Sequence, residues 1–381
     1  MRPITQEKFE ILLKFIEEKR IDVLMICDFE NARNVNLQYI SGHPTDAILL
    51  ITKKGESILI PGDFQLAKNL AEVDEFIDLS NFNYNFYLAI KELVESRWKK
   101  SSIIFGIHES TPYGTIIKMK KNISQIKFFN DPIQITKILQ KLRATKSEYE
   151  LNQLRKAAEM GNKTIKDIKN FCENASDETE KDLSFLLRKK VAEYGADDLA
   201  FESLIANTTR SHELHCYPNA TNQKFTLQGL ALIDFGAKFQ GYCSDITIPI
   251  SFGQLSEEQQ KMRDLVLKSY EAATEVIDIG VPLWKVHEEA DQVLKKEGYN
   301  LPYAVGHGLG LTVHDSPIIA GKPSDKYSLK HWQEELIQDD MVFTIEPGIY
   351  KQGLGGVRLE NDVLIKNGKV EIITKSEYFN M

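Results

Sequence analysis

Two stretches of this 381-residue chain restrict its fold more than any other feature. Each is a pair of apolar runs that doubles back near glycine and carries an acid on either side of the turn. Residues 230–245 read LALIDFGAKFQGYCSD; a hairpin turning at Phe239–Gln240 sets residues whose numbers add to 479 opposite each other, and Asp234 and Asp245 form such a pair. Residues 342–365 read VFTIEPGIYKQGLGGVRLENDVLI; folding about Gly353 gives a sum of 706, which sets Glu346 opposite Glu360. Strand parity then places Arg358 on the face of Glu360, two residues away. Carboxylates facing each other on one sheet face repel unless positive charge lies between them, and a divalent metal supplies it. A register slip of one residue would turn the acids apart.

The surroundings of the hairpins repeat. A helix after Ser147, with Leu151, Leu154, Ala157, Ala158, Ile165 and Ile168 on one stripe, is followed by a helix that starts after Ser176, favoured by Asp177 and Glu178, and ends near Gly195. The aspartate hairpin comes next. A helix opening at Ser256 and running through Ile277, a break at Gly280–Pro282, a helix from Leu283 to Lys296 and the glutamate hairpin repeat that order. The helix starts lie about 110 residues apart, with few identities, as expected of a weak internal repeat. Two halves about a pseudo-twofold axis would bring the acid pairs together at the centre. The first 130 or so residues alternate helix and strand, beginning with an amphipathic helix over residues 5–19, and read as a separate α/β domain. The expected domains are residues 1–135 and 136–381.

Between the hairpins, His307 stands between Gly306 and Gly308, where the backbone can approach another group closely. Four carboxylates and one imidazole form an oxygen-rich donor set suited to Mn, Co, Fe or Zn. Two such ions a few ångströms apart can polarise a carbonyl and activate water, which is hydrolase chemistry. His314 and His215 are available as hydrogen-bond donors to an oxyanion or a substrate carboxylate. The segment His212-Glu-Leu-His215 differs from a thermolysin-like zinc motif, because its histidines are three apart and Tyr217-Pro218 follows. His212 reads as a solvated loop residue, His43 and His108 as solvated or structural, and Glu213, Asp315 and Asp362 as surface charge.

The net charge of −8 argues against nucleic acid or an anionic membrane as a main partner. No apolar run approaches a membrane span, and the N-terminus lacks a signal-peptide core. Cys27, Cys172, Cys216 and Cys243 are widely spaced and read as reduced thiols in a cytoplasmic protein.

Taken together, LIDFG at 232–236, GYCSDIT at 241–247, GHGLG at 306–310, VHD at 313–315, TIEPGIY at 344–350 and GVRLE at 356–360 resemble the pita-bread metallopeptidases. That group contains methionine aminopeptidase, Xaa-Pro aminopeptidase (aminopeptidase P) and Xaa-Pro dipeptidase (prolidase). The first domain resembles the N-terminal domain of the creatinase and proline-directed members. The resemblance implies an α+β chain: a C-terminal pita-bread domain with a pseudo-twofold repeat, preceded by a smaller α/β creatinase-like domain. It implies two divalent ions, manganese foremost, with Asp234 on one, His307 and Glu346 on the other, and Asp245 and Glu360 bridging. A metal-bridging hydroxide would attack the scissile carbonyl. Glu346 would shuttle the proton, His215 and His314 would orient substrate, and Arg358 would hold a carboxylate or the substrate end at the site edge. The implied reaction removes an N-terminal residue that precedes proline, in a homodimer or higher oligomer, with aminopeptidase P favoured over prolidase. A non-peptidase enzyme or an inactive binding module on the same fold are the alternatives; all five metal positions are retained, which counts against a creatinase-like amidinohydrolase and against the module and leaves a metal-using lyase as the open alternative. Two departures from the family pattern bear on substrate range: Ile248, where an arginine is frequent, and Cys216 after His215, where a tyrosine is.

Overall fold

A computed structural model describes residues 3–381. The chain divides into two compact units, Met1–Leu142 and Arg143–Met381. The division falls inside the helix Pro132–Ala144, which also contains residues 135 and 136.

In the first unit a six-stranded mixed sheet is built around Val23–Asp28, which pairs antiparallel with Ala47–Thr52 and parallel with Ile103–Ile107. Every residue of Val23–Asp28 is buried, as its apolar run requires of a central strand covered on both faces. The first helix, Gln6–Glu18, begins where the Thr5 side chain accepts the N–H of Lys8, and it buries Phe9, Leu12 and Ile16, a spacing of three and four residues. The helix Phe86–Glu92 is continued by a π-helical turn, Leu93–Trp98.

The second unit holds the repeat. Its helices Glu148–Asn174, Glu180–Glu193 and Glu257–Glu275 each open with a reciprocal side-chain cap, from Ser147 with Glu150, Thr179 with Asp182 and Ser256 with Gln259. The second helix therefore starts later than Asp177 and Glu178 suggested, because Thr179 is the residue that can cap it. The fourth helix is Leu283–Lys295. Each helix pair has its own core. Ile165, Ile168, Leu183 and Leu187 pack with Ile205, Ile233 and Ile248, whereas Met262, Val266, Val286 and Leu294 pack with Val305, Phe343 and Val363.

Two sheets lie under these helices. One has the order Phe379–Asn380, Ile246–Phe252, Gly229–Phe235, Leu204–Ala206; the other has Asp315–Ile319, Gly306–Gly308, Val342–Ile345, Asn361–Lys366, Lys369–Ile372. They meet at an antiparallel bridge between Thr247 and Glu360, where the Glu360 N–H donates to the Thr247 carbonyl at 3.2 Å. Thr247 belongs to the first half of the repeat and Glu360 to the second, so this seam is where the halves join.

The registers differ from expectation in one hairpin. The glutamate hairpin pairs Ile345 with Asn361 and Gly348 with Arg358, the sum of 706, so Glu346 and Glu360 sit opposite each other between two paired segments. The aspartate hairpin pairs Asp234 with Thr247 and Phe239 with Tyr242, a sum of 481. Its turn is at Gln240–Gly241, both with positive φ, one residue beyond the expected place. The acids are thus diagonal neighbours instead of directly opposed. The sum changes by two, which conserves parity, and both stay on one face.

Candidate metal centre

The registers generate two adjacent rows of side chains across the seam. The first row is Asp234, Thr247, Glu360 and Glu346, through the pairs Asp234–Thr247 and Thr247–Glu360 and the facing glutamates. The second is Ile318, His307, Thr344 and Asp362: Ile318 pairs with His307, Thr344 pairs with Asp362, and the Thr344 hydroxyl accepts the His307 N–H at 3.2 Å. Asp245 continues this row, since its N–H donates to the Asp362 carboxylate at 3.3 and 3.2 Å. Residues two apart on a strand share a face, so the five expected donors converge from two hairpins and one intervening strand. Ligand atoms of Asp245, His307 and Glu360 lie within 4.8 Å of one another, and all three residues are buried.

Glycine makes the close approach possible at two points. A β-carbon at Gly236 would stand 1.8 Å from the Ser244 carbonyl oxygen, and one at Gly306 would stand 1.8 Å from that of Thr344. Any side chain there would push apart the strands that carry Asp234 and Asp245, or those that carry His307 and Glu346.

The electrostatics call for cations. Four carboxylates lie together with one guanidinium, Arg358. Burial lifts the carboxyls of Asp234, Asp245 and Glu360, and repulsion from neighbouring acids lifts Asp245 and Glu360 further. Burial pushes Glu346 up to about 7. His307 is moved the other way, to about 4, because burial disfavours the imidazolium. It is therefore neutral near pH 7, and its Nδ1 donates to the Gly308 carbonyl at 3.0 Å. That tautomer leaves a lone pair on Nε2, which lies 3.4 Å from Glu346 Oε1 and 3.7 Å from Asp245 Oδ2. That lone pair faces two carboxyls, a donor set that a metal ion placed among them would satisfy. Asp234 Oδ1 is buried without a hydrogen-bond partner, while Oδ2 takes 2.6 Å from Arg358 Nη2. Glu360 uses one oxygen in the same way, accepting the Thr247 hydroxyl at 2.6 Å through Oε2. An orphaned oxygen, a free imidazole lone pair and clustered carboxylates fit hard divalent cations.

Arg358 sits elsewhere than expected. It is buried beneath the donors instead of standing at the edge. Nε donates to Thr247 Oγ1 at 2.9 Å, Nη1 to Tyr350 Oη at 2.7 Å and Nη2 to Asp234. A buried guanidinium engaged through all three of its nitrogens orients Asp234 from within the site. His314 is exposed, with its ring centroid 4.3 Å from that of His307. His215 is exposed on the loop after Leu204–Ala206, close enough that its charge, like that of His314, would stabilise ionised Asp234.

Two residues taken for surface charge are buried. Asp362 lies in the second row and orients Asp245; its place was implicit in the sum of 706, which pairs it with Thr344. Asp315 is gripped by Arg143 through two bonds, Nε to Oδ2 at 3.0 Å and Nη2 to Oδ1 at 2.8 Å, from a partner 172 residues away that no local pattern reveals. Glu213 is exposed as expected, and His212 is part-buried. Thr247 and Tyr350 were missed; their hydroxyls orient Glu360 and Arg358.

Comparison with known proteins agrees with this geometry. Residues 152–367 match the model of metallopeptidase family M24, and residues 9–145 match the creatinase/prolidase N-terminal domain. The chain is 30% identical over 383 residues to an Xaa-Pro dipeptidase of Pyrococcus horikoshii, with 98% of both chains covered. It is 28% identical to an uncharacterized peptidase of Staphylococcus aureus, covering 90% of this chain and 93% of that one. The crystal structure of the prolidase from Pyrococcus horikoshii superposes with a TM-score of 0.81 at 28% identity, covering 98% of this chain and 99% of that one. An X-Pro aminopeptidase from Thermotoga maritima superposes with a TM-score of 0.80 at 26% identity, with the same coverage. With a family model spanning more than half its length and a metal-ligating cluster at the seam of its repeat, this chain belongs to metallopeptidase family M24, a metallohydrolase of pita-bread fold with a creatinase-type N-terminal domain.

Proposed function

We propose that the chain is an Xaa-Pro dipeptidase, a prolidase. The observation that carries this reading is the end-to-end similarity to a named Xaa-Pro dipeptidase, combined with retention of all five donors. Aminopeptidase P, favoured from the motifs alone, shares the fold to the same degree, and the similarity in sequence turns the balance to the dipeptidase.

In this reading Asp234, Asp245, His307, Glu346 and Glu360 would together hold two divalent cations. When bound, two divalent cations supply Lewis acidity and lower the pKa of water towards 7. The remaining work belongs to the chain. Glu346, the carboxylate beside His307, takes the proton from the attacking water and delivers it to the prolyl nitrogen, which must be protonated to leave as a secondary amine. His314 and His215 donate to the oxygen that becomes negative as the carbonyl turns tetrahedral, and to the substrate carboxylate. Arg358 holds Asp234 in place from below. Proline has a fixed φ and no N–H, so a dedicated site is required for the bond that precedes it. Proline-containing dipeptides are the proposed substrates. Manganese and a homodimer or higher oligomer are carried over from the family resemblance, and a cytoplasmic location from the free cysteines.

The test is hydrolysis of Ala-Pro and Ala-Pro-Ala with Mn2+, Co2+ or Zn2+, beside a chelated control. Metal-dependent cleavage of Ala-Pro is expected. Cleavage of the tripeptide alone would return the reading to aminopeptidase P. Silence on both, in protein shown to hold metal, would move it to a non-peptidase reaction.

A further inference from the structure

The segment between the strands Leu204–Ala206 and Gly229–Phe235 has little regular structure, and it carries His215. One buried carboxylate ties it down. Glu180, the first residue of helix Glu180–Glu193, is fully buried. Its Oε1 accepts the N–H of Asn207 at 3.0 Å; its Oε2 accepts the N–H and the hydroxyl of Thr221, at 2.8 and 2.6 Å. Oε2 also accepts from the Arg210 guanidinium. Arg210 donates in addition to the carbonyls of Ile205, at 3.4 Å, and Pro218. The pair thus joins the start, the interior and the end of residues 205–221. A different anchor fixes the inner side: the Ser211 hydroxyl donates to the Leu230 carbonyl at 2.8 Å and accepts the Gly356 N–H at 2.9 Å.

Removing a carboxylate from water is unfavourable, and a connection that only had to reverse direction could do so with turn residues. Here every side-chain partner of Glu180 among the described residues comes from one segment, and that segment brings His215 to the metal centre, where the adjacent Cys216 packs with Leu232 and Tyr350. We propose that Glu180 and Arg210 are positioning residues for His215, the buried carboxylate and its part-buried guanidinium partner fixing residues 205–221 so that the imidazole stands beside Asp234. The inference rests on the proposed dipeptidase reading, in which His215 contacts substrate.

A double-mutant cycle tests it. Glu180→Gln keeps the shape and an accepting oxygen but removes the charge that holds Arg210. The kcat/KM for Ala-Pro with Mn2+ is expected to fall ~10- to 100-fold, as for other residues that orient a working side chain, with bound Mn2+ unchanged. In a His215→Ala background the same change is expected to cost less than about threefold, because no imidazole remains to be positioned. Amide exchange at Asn207 and Thr221, whose N–H groups Glu180 accepts, should quicken with or without Mn2+. Arg210→Lys keeps the charge but loses the forked reach, should show the same pattern, and carries the test if Glu180→Gln does not fold. Losses that multiply independently of His215, or that track a loss of Mn2+, would overturn the proposal, as would unchanged exchange at both amides. A failure of wild-type protein to cleave Ala-Pro overturns the underlying dipeptidase reading instead, and shows before any variant is made.

Discussion

Glu360→Gln should stabilise the metal-free protein while destroying its response to metal. The substitution is nearly isosteric, and the amide oxygen can still accept the Thr247 hydroxyl, so no cavity opens. What changes is charge. Ligand atoms of Glu360 and Asp245 lie within 4.8 Å. At an effective dielectric of about 20, two unit charges at that separation repel by about 3.5 kcal/mol. Chelated wild-type protein relieves part of this by binding a proton, so the expected gain of the variant at pH 8 is about 1–3 kcal/mol. The pH dependence has a definite sign. Burial and the neighbouring acids raise the Glu360 carboxyl in the folded state. Its destabilising contribution is therefore absent below the unfolded pKa of a glutamate, near 4.3, and grows as pH rises towards the folded value. The advantage of the variant should be present at pH 8 and vanish at pH 4. Added Mn2+ should reverse the order, because saturation at about a thousand times the dissociation constant adds about 4.1 kcal/mol to wild type alone. Urea unfolding followed by tryptophan fluorescence reads this, as Trp284 and Trp332 both lie in the C-terminal unit. A chelated variant less stable than chelated wild type at pH 8, or equal stabilisation of both by Mn2+, would refute the reasoning.

Two further outcomes follow from the same geometry. Arg358→Met removes the guanidinium that lies among four acids and takes from the Asp234 carboxylate its ion-pair partner, so chelated protein should lose about 3–5 kcal/mol in urea unfolding. His314→Ala should lower kcat for Ala-Pro about 100-fold with little change in bound Mn2+ measured by atomic absorption; loss of metal in its place would make His314 a ligand.

Much of the centre could be read from two hairpins because period-two alternation needs only parity. The error in the aspartate hairpin shows why: moving the turn by one residue changed the opposed pair from Asp234–Asp245 to Asp234–Thr247 but left every side chain on its face. A turn placed at Gln240–Gly241 is hard to foresee, since it puts a glutamine at positive φ. The helix starts at Ser147 and Ser256 were legible from capping chemistry within four residues. Residues whose state depends on distant partners were misread. Asp315 looked like surface charge until Arg143 was found against it, and Arg358 looked like a rim cation until Tyr350, Thr247 and Asp234 were seen to enclose it. Acidity in a sequence does not reveal burial when the compensating group lies a hundred or more residues away.

The seam at Thr247–Glu360 has a consequence for how such a chain can change over generations. Asp234 and Asp245 come from one half of the repeat, and His307, Glu346 and Glu360 come from the other. Neither half has a full donor set, so each is blind to its own fitness without its twin. An insertion that slips either hairpin by one residue silences both, whereas a two-residue slip preserves facing and can survive. Each half can repack its own core without the other, whereas a change at the meeting line is felt by both. Divergence of the two helix pairs to the point of lost identity, beside an unchanged meeting line, is the expected record of that inheritance.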